Sequence, residues 1–250
     1  MMFTIEQRNA IRDELIALAQ ADENIVGAAL VGSSATSLQD DLSDIDIALQ
    51  LAVDTDEAVV VDRWTRHIAD IYGLAHHLDV FAGSTRYRVF LLPESLQIDI
   101  SFWPNDAFAA TSDRFRLLFG SPRESVASPP PSPERLTGYA WLYALHVRSS
   151  IARNQPWHGL TLLDDMRDYI LALACMRHGL NHHQLRGVDA LPSQVLASFV
   201  SARATSLEAN ELRRSLRDHV HLLMQEVGEF DSALAAMLRS PLREIGDYVP

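Results

Sequence analysis

The stretch that decides the fold runs Gly32-Ser33-Ser34-Ala35-Thr36-Ser37-Leu38-Gln39-Asp40-Asp41-Leu42-Ser43-Asp44-Ile45-Asp46-Ile47-Ala48-Leu49-Gln50-Leu51. From Asp44 to Val53 polar and apolar residues alternate, and residues two apart on a strand share a face. Asp44 and Asp46 therefore point one way, while Ile45, Ile47 and Leu49 point into a core. Just upstream, Ile25 to Val31 reads as a buried strand ending at Gly32. The small hydroxyl residues from Ser33 onward suit a loop leading into a short helix. A strand, a glycine turn and a second strand with two carboxylates side by side make an unusual local pattern.

A third carboxylate belongs with these two. Leu96 to Trp103 reads as a strand whose apolar face is Ile98, Ile100 and Phe102, with Gln97, Asp99 and Ser101 on the other. Pairing of that strand beside Asp44 and Asp46 would bring Asp99 against them. Three clustered carboxylates repel one another and lose hydration unless a cation is bound, so the cluster implies a hard divalent metal, with Mg²⁺ its natural occupant. Two such ions would clamp the attacking and leaving oxygens of an in-line phosphoryl transfer. Gly32 permits close approach of backbone, and Ser33 offers a hydroxyl and amides to a triphosphate.

Gly32-Ser33, ten residues, then Asp44-Ile45-Asp46, with Asp99 on a later strand, resembles the DNA polymerase β-type nucleotidyltransferase superfamily. More narrowly the chain is similar to the small-molecule branch that includes aminoglycoside and lincosamide nucleotidyltransferases, in which such a domain precedes a helical one. Gln97-Ile98-Asp99-Ile100-Ser101-Phe102-Trp103-Pro104 is similar to the third-carboxylate strand of those enzymes. The motif-level resemblance covers about residues 25 to 105. It implies that Gly32 and Ser33 hold the β- and γ-phosphates, that Asp44 and Asp46 bind both metals, and that Asp99 completes the metal site and takes the acceptor's proton. The implied substrates are a nucleoside triphosphate, ATP donating AMP, and a hydroxyl-bearing small molecule such as an antibiotic. Many members of the superfamily carry Arg shortly after Gly-Ser. Here the run is Ser34-Ala35-Thr36-Ser37, and Arg86 or Arg88 is the candidate replacement for that phosphate contact.

Composition narrows the chemistry further. The 250 residues include 21 basic ones, and every one is Arg. A chain without lysine has no lysine-ended phosphate loop, no Schiff-base chemistry and no kinase of the usual lysine-dependent kind. Net charge is -12, with 20 acidic and 9 Arg residues up to residue 125, a balance of -11, and a balance of -1 beyond it. Nucleic acid, which demands clustered cations, is a poor partner for such a surface. The one cysteine, Cys175, cannot form an intrachain disulfide and lies in an apolar run, which fits a reducing cytoplasm. Neither a signal peptide nor an apolar run near the roughly 20 residues needed to span a bilayer is read. Oligomeric state is left open.

Ser128-Pro129-Pro130-Pro131-Ser132-Pro133 reads as a stiff linker between two textures. The expected organisation is α+β: a catalytic domain over 1–127 with a mixed or antiparallel sheet, a linker over 128–133, and an all-α domain over 134–250. Thr4 with Gln7 opens a helix to about Gln20, and a second helix runs from about Asp56 to Tyr72. Leu78 to Phe81 and Tyr87 to Leu92 are further strands. Leu136–Arg153, Leu160–Arg177, Leu207–Glu226 and Phe230–Leu238 are the later helices.

Other polar clusters have plainer readings. Asp40 and Asp41 read as solvated loop charges, His76-His77 and His182-His183 as surface or loop histidines, and Asp164, Asp165 and Asp168 as a solvated helix face. That face and Glu134 are also candidates to orient the acceptor or supply the base. A Mg²⁺-dependent nucleotidyltransferase acting on a small molecule is the leading expectation. The rival is a toxin–antitoxin or regulatory protein in which the nucleotidyltransferase module modifies or binds a protein partner.

Overall fold

The computed structural model of the protein describes residues 3–35, 40, 42–111, 114–124 and 131–247. Two compact units are present, Met1–Ser128 and Pro129–Pro250. In the first, Thr4 caps α1 (Ile5–Ala21) through a reciprocal pair of bonds: the Gln7 amide donates to the Thr4 hydroxyl at 3.2 Å and the Thr4 amide donates to the Gln7 side chain at 2.7 Å. Six strands follow: β1 (Ile25–Val31), β2 (Ile45–Leu51), β3 (His76–Ala82), β4 (Thr85–Leu91), β5 (Gln97–Trp103) and β6 (Phe115–Phe119). They form one sheet in the order β3-β4-β5-β2-β1-β6. Every pairing is antiparallel except β2 with β5.

That parallel pair positions the site. Parallel neighbours cannot be joined by a hairpin and need a crossover. Here it is α2 (Glu57–Tyr72), capped by Asp56, followed by the β3–β4 hairpin. α1 and α2 bury one sheet face, where Ile45, Ile47, Leu49, Ile98, Ile100 and Phe102 are at most 1% exposed. Trp64 of α2 meets Phe102 edge to face at 6.3 Å. On the opposite face Ala29, Ala48 and Phe108 form a small buried cluster and Gln50 and Ser101 are also buried, while Asp46 and Asp99 are half-buried.

The second unit is helical: α3 (Pro133–Ala152), α4 (Pro156–Arg177), α5 (Ser193–Ala202), α6 (Ala209–Phe230) and α7 (Ser232–Gly246). Met166, Ile170 and Leu173 of α4 and Leu223 of α6 lie at the centre of its core, all 0% exposed. Among the described residues no strand follows Phe119, so the expected α+β class, a mixed sheet followed by helices, is the observed one. None of the described helices is long and apolar enough to cross a membrane.

The sequence reading is incomplete at four places. β6 is only five residues long and its Phe-Arg-Leu-Leu-Phe run does not alternate, so pairing with β1 supplies what periodicity cannot. α5, ten residues after Pro192, is too short for its repeat to stand out. α7 continues past Leu238 and through Pro241, held by burial of Leu242 and Ile245. Ser132 and Pro133 are not linker: they are the N-cap and first residue of α3, with the Ser132 hydroxyl accepting from the Arg135 amide. Residues 128–130 of the expected linker lie outside the described residues.

Asp22, at the end of α1, ties the first helix to α2. Its carboxylate accepts from the Trp64 indole at 3.0 Å, the Asn24 amide at 3.0 Å and the Arg63 guanidinium at 2.5 Å. Burial alone would raise its pKa, but the bonds from Trp64, Asn24 and Arg63 outweigh it and hold the carboxyl below its usual range. A depressed pKa contributes stability above the unfolded value of about 3.9, lost as pH falls through the folded one. Asp22→Ala leaves the buried indole N–H unpaired and should cost roughly 1.5–3 kcal/mol in urea unfolding at pH 7, with the deficit shrinking toward pH 3.

Candidate metal centre

Asp44 immediately precedes β2, and Asp46 and Asp99 are register partners across the parallel pair. Ile45 opposite Ile98 and Ile47 opposite Ile100 lock this register, because a one-residue slip would turn apolar side chains into water and carboxylates into the core. As a result Asp44, Asp46 and Asp99, each half-buried, offer carboxylate oxygens that all lie within 4.8 Å of one another. No other group of three or more metal-ligating side chains occurs among the described residues.

The electrostatics show what the cluster lacks. Burial pushes the Asp99 carboxyl above the ordinary carboxylate range, a hydrogen bond from Gln97 pulls it back, and the nearby Asp44 pushes it up again. The Gln97 amide donates to Asp99 at 3.0 Å and reaches Asp44 at 3.4 Å, so a neutral donor bridges two carboxylates. An all-oxygen, acceptor-only donor set of this kind fits a hard divalent cation.

The turn after β1 completes the site. Gly32 has φ +59°, and a Cβ built there would stand 2.5 Å from the Asp46 carboxylate. Only glycine relieves both the left-handed backbone and the clash. Gly32–Ala35 form a single 3-10 turn. Buried Ser34 stitches this turn to β2: its hydroxyl donates to the Asp44 carbonyl at 3.3 Å and accepts from the Asp46 amide at 3.2 Å. Gly32 and Ser33 are thus held beside Asp46, on the β1 side of β2.

Several positioning groups escape a reading of sequence alone. Ser34 is one. Gln97 is another, and its one legible signal is that it shares the strand face of Asp99. Arg8 of α1, only 2% exposed, sends its guanidinium to the carbonyls of Asp40 at 2.5 Å and Ser43 at 3.2 Å, anchoring the approach to Asp44. Nothing in the α1 pattern distinguishes this arginine from a surface one.

Arg86 and Arg88 are not phosphate contacts in this structure. They stand opposite Phe102 and Ile100, on the helix-covered face and away from Asp99. Arg86 binds Glu57 at 2.5 Å and Asp79 at 2.6 Å, and Arg88 binds Asp79 at 2.6 Å and the Thr65 hydroxyl at 2.8 Å. Their register with β5 puts both side chains on the face of the sheet opposite the carboxylates.

The remaining candidates settle into local roles. Asp40 accepts from the Leu42 amide and the Ser43 hydroxyl in an exposed loop, while Asp41, Thr36 and Ser37 lie outside the described residues. His76 and His77 are exposed on β3 with rings 6.1 Å apart, and neither they nor His182 and His183 join a metal-ligating group. Arg167 pairs with Asp164 at 2.5 Å and with Asp168 at 2.8 Å. Burial and the charges of Asp168 and Asp164 raise the Asp165 pKa. Glu134 sits in the first turn of α3, where the helix dipole favours an acid.

Among the solved structures that the chain is similar to are the following two. One is an aminoglycoside 6-adenyltransferase from Bacillus subtilis, at a TM-score of 0.40 and 14% identity, covering 99% of this chain and 100% of the other. Another is a nucleotidyltransferase-like protein from Exiguobacterium sibiricum 255-15, at a TM-score of 0.37 and 15% identity, covering 93% and 79%. No family model and no curated protein matches the chain.

Three outcomes follow from the geometry of the carboxylates and the turn. Asp99→Asn removes a charge that is costly in the metal-free protein and should raise metal-free stability by about 0.5–2 kcal/mol while abolishing stabilisation by Mn²⁺ or Mg²⁺. Because the Asp99 pKa is raised, the cost of ionising it is full above that pKa and vanishes as pH falls through it. Metal-dependent stabilisation of the wild type should therefore be largest at neutral pH and fade on acidification, as thermal unfolding with and without metal would show. Gly32→Ala should cost about 1–2 kcal/mol and weaken metal stabilisation by displacing the Asp46 carboxylate.

Proposed function

We propose that the protein is a divalent-metal-dependent nucleotidyltransferase that moves a nucleoside monophosphate, AMP from ATP, to a hydroxyl of a small molecule. The observation that carries this reading is the carboxylate triad of Asp44, Asp46 and Asp99, gathered on two parallel strands beside a positive-φ glycine turn. The motif resemblance supports it. Mg²⁺ held by the three carboxylates, two ions in the fullest form, would neutralise the charge of the transferring phosphoryl group.

The chain's own residues supply the rest. Gly32 brings backbone next to Asp46, and the β- and γ-phosphates would lie against this turn, with Ser33 offering its amide and hydroxyl. With no lysine in the sequence and Arg86 and Arg88 engaged on the other sheet face, the metal-holding carboxylates and this turn would carry much of the phosphate binding. The acceptor oxygen attacks the α-phosphorus, the bond to the β-phosphate oxygen breaks, and pyrophosphate leaves. Asp99 would take the hydroxyl proton.

The test is a labelled-nucleotide transfer screen with Mg²⁺ over aminoglycosides, lincosamides and cell extract. Wild type should label a small molecule, and Asp46→Asn should lower transfer on the order of 10³-fold or more. Absence of triphosphate binding in the presence of Mg²⁺, or binding that survives Asp44→Asn with Asp46→Asn, would sink the reading. Labelling of protein in extract but of no small molecule would move the assignment to a protein-modifying nucleotidyltransferase.

A further inference from the structure

The open face of the sheet continues past Asp99, away from the Gly32–Ala35 turn. Register carries one row of side chains from Asp46 to Asp99, then to Val89 of β4 and Leu78 of β3. The next row runs Ala48, Ser101, Tyr87, Val80. Directly opposed residues share a face, so the first row leads from the carboxylates to the sheet edge, while Ala48 and Ser101 of the second are buried and its Tyr87 and Val80 reach the surface beside Val89 and Leu78. Val89 and Tyr87 are half-buried, while Leu78 and Val80 are 58% and 49% exposed. The edge of Tyr87 is set against Trp103, at 6.3 Å between ring centroids.

Exposed apolar side chains on an edge strand need a reason, because such edges invite unwanted pairing. Charge on this surface is as informative as its apolarity. No position of β3 or β4 on this face is Asp, Glu or Arg, and His76 lies at its far end opposite Leu91. The one carboxylate of β3, Asp79, is on the opposite face and is held by Arg86 and Arg88. A polycation would find nothing beyond Asp99 to pair with here, whereas an apolar ring or chain would find continuous contact.

With the triphosphate on the β1 side of the carboxylates, an acceptor must come from the Asp99 side, over this surface. We propose that Val89, Tyr87, Leu78 and Val80 form the acceptor shelf, and that it selects a neutral acceptor whose reacting hydroxyl is carried on an aliphatic or aromatic flank. The assignment rests on the nucleotidyltransferase reading for its orientation, and on the register and charge of β3 and β4 for its chemistry.

Nile red, a neutral apolar dye, probes the shelf without requiring catalysis. Wild type should bind it saturably, and Leu78→Ser with Val80→Ser, or Val89→Ser alone, should raise its Kd at least tenfold. Mg²⁺–ATP affinity, measured in parallel, should stay within twofold, which reports an intact fold at these surface positions. A neutral aryl diol such as chloramphenicol should displace the dye, and the polycation neomycin should not. Dye binding that is absent or indifferent to the substitutions, or displacement by neomycin, overturns the shelf. Self-association that the substitutions abolish would instead assign the surface to a second copy of the chain and also overturn it. Loss of Mg²⁺–ATP binding in wild type, with dye binding intact, would count against the nucleotidyltransferase reading and leave the apolar selectivity standing.

Discussion

The gathering of three carboxylates on one face of two parallel strands is the constraint on which the rest of this structure depends. Asp44, Asp46 and Asp99 bring their oxygens within 4.8 Å of one another, and at Asp99 burial, with the nearby Asp44 charge added, disfavours the ionised form. It persists because the strands beneath them are fixed by apolar contacts that the carboxylates do not control. Ile45, Ile47, Ile98 and Ile100 are buried on the other side of the same strands, and the alternation that sinks them lifts the acids into the open. The core holds the site together against its own charge.

Around that cluster, each support answers one geometric need. Gly32 makes room for the Asp46 carboxylate where any Cβ would collide with it. Ser34 bonds on both sides of Ile45, to the Asp44 carbonyl and the Asp46 amide, so turn and strand behave as one piece. Arg8 reaches from α1 to two loop carbonyls ahead of Asp44. Gln97 lends a donor to two acids at once. These are contacts of preorganisation: they set positions in advance, so that a bound cation need not reorganise the backbone.

Much of this was legible without coordinates because it is periodic. A residue's face on a strand depends only on its parity, so Asp44, Asp46 and Asp99 were separable from their isoleucine neighbours at sight, and the capping residues Thr4 and Asp56 marked helix starts. Elements too short to show a period, β6 and α5, were not legible, nor was a helix that continues through Pro241 on the strength of its packing. The arginines expose a different limit. Parity could have shown Arg86 and Arg88 to be on a common face, but only the register with β5 shows that this face is the covered one.

By itself the sequence determined the α+β class, the carboxylates that share a strand face, and a lysine-free chemistry that leaves phosphate charge to metal, backbone and arginine. All three are properties of order and composition along one dimension. Tertiary structure alone decided that β2 and β5 are parallel neighbours in the register that opposes Asp46 to Asp99, that Ser34, Gln97 and Arg8 converge on the same few residues, and that the face beyond Asp99 is apolar. Those facts depend on contacts between separate segments, 10 to 12 residues apart for Ser34 and 32 to 53 apart for the bonds from Arg8 to Asp40 and from Gln97 to Asp44. Local periodicity carries no information about which distant strand becomes a neighbour, and that choice is made by the burial of the whole sheet.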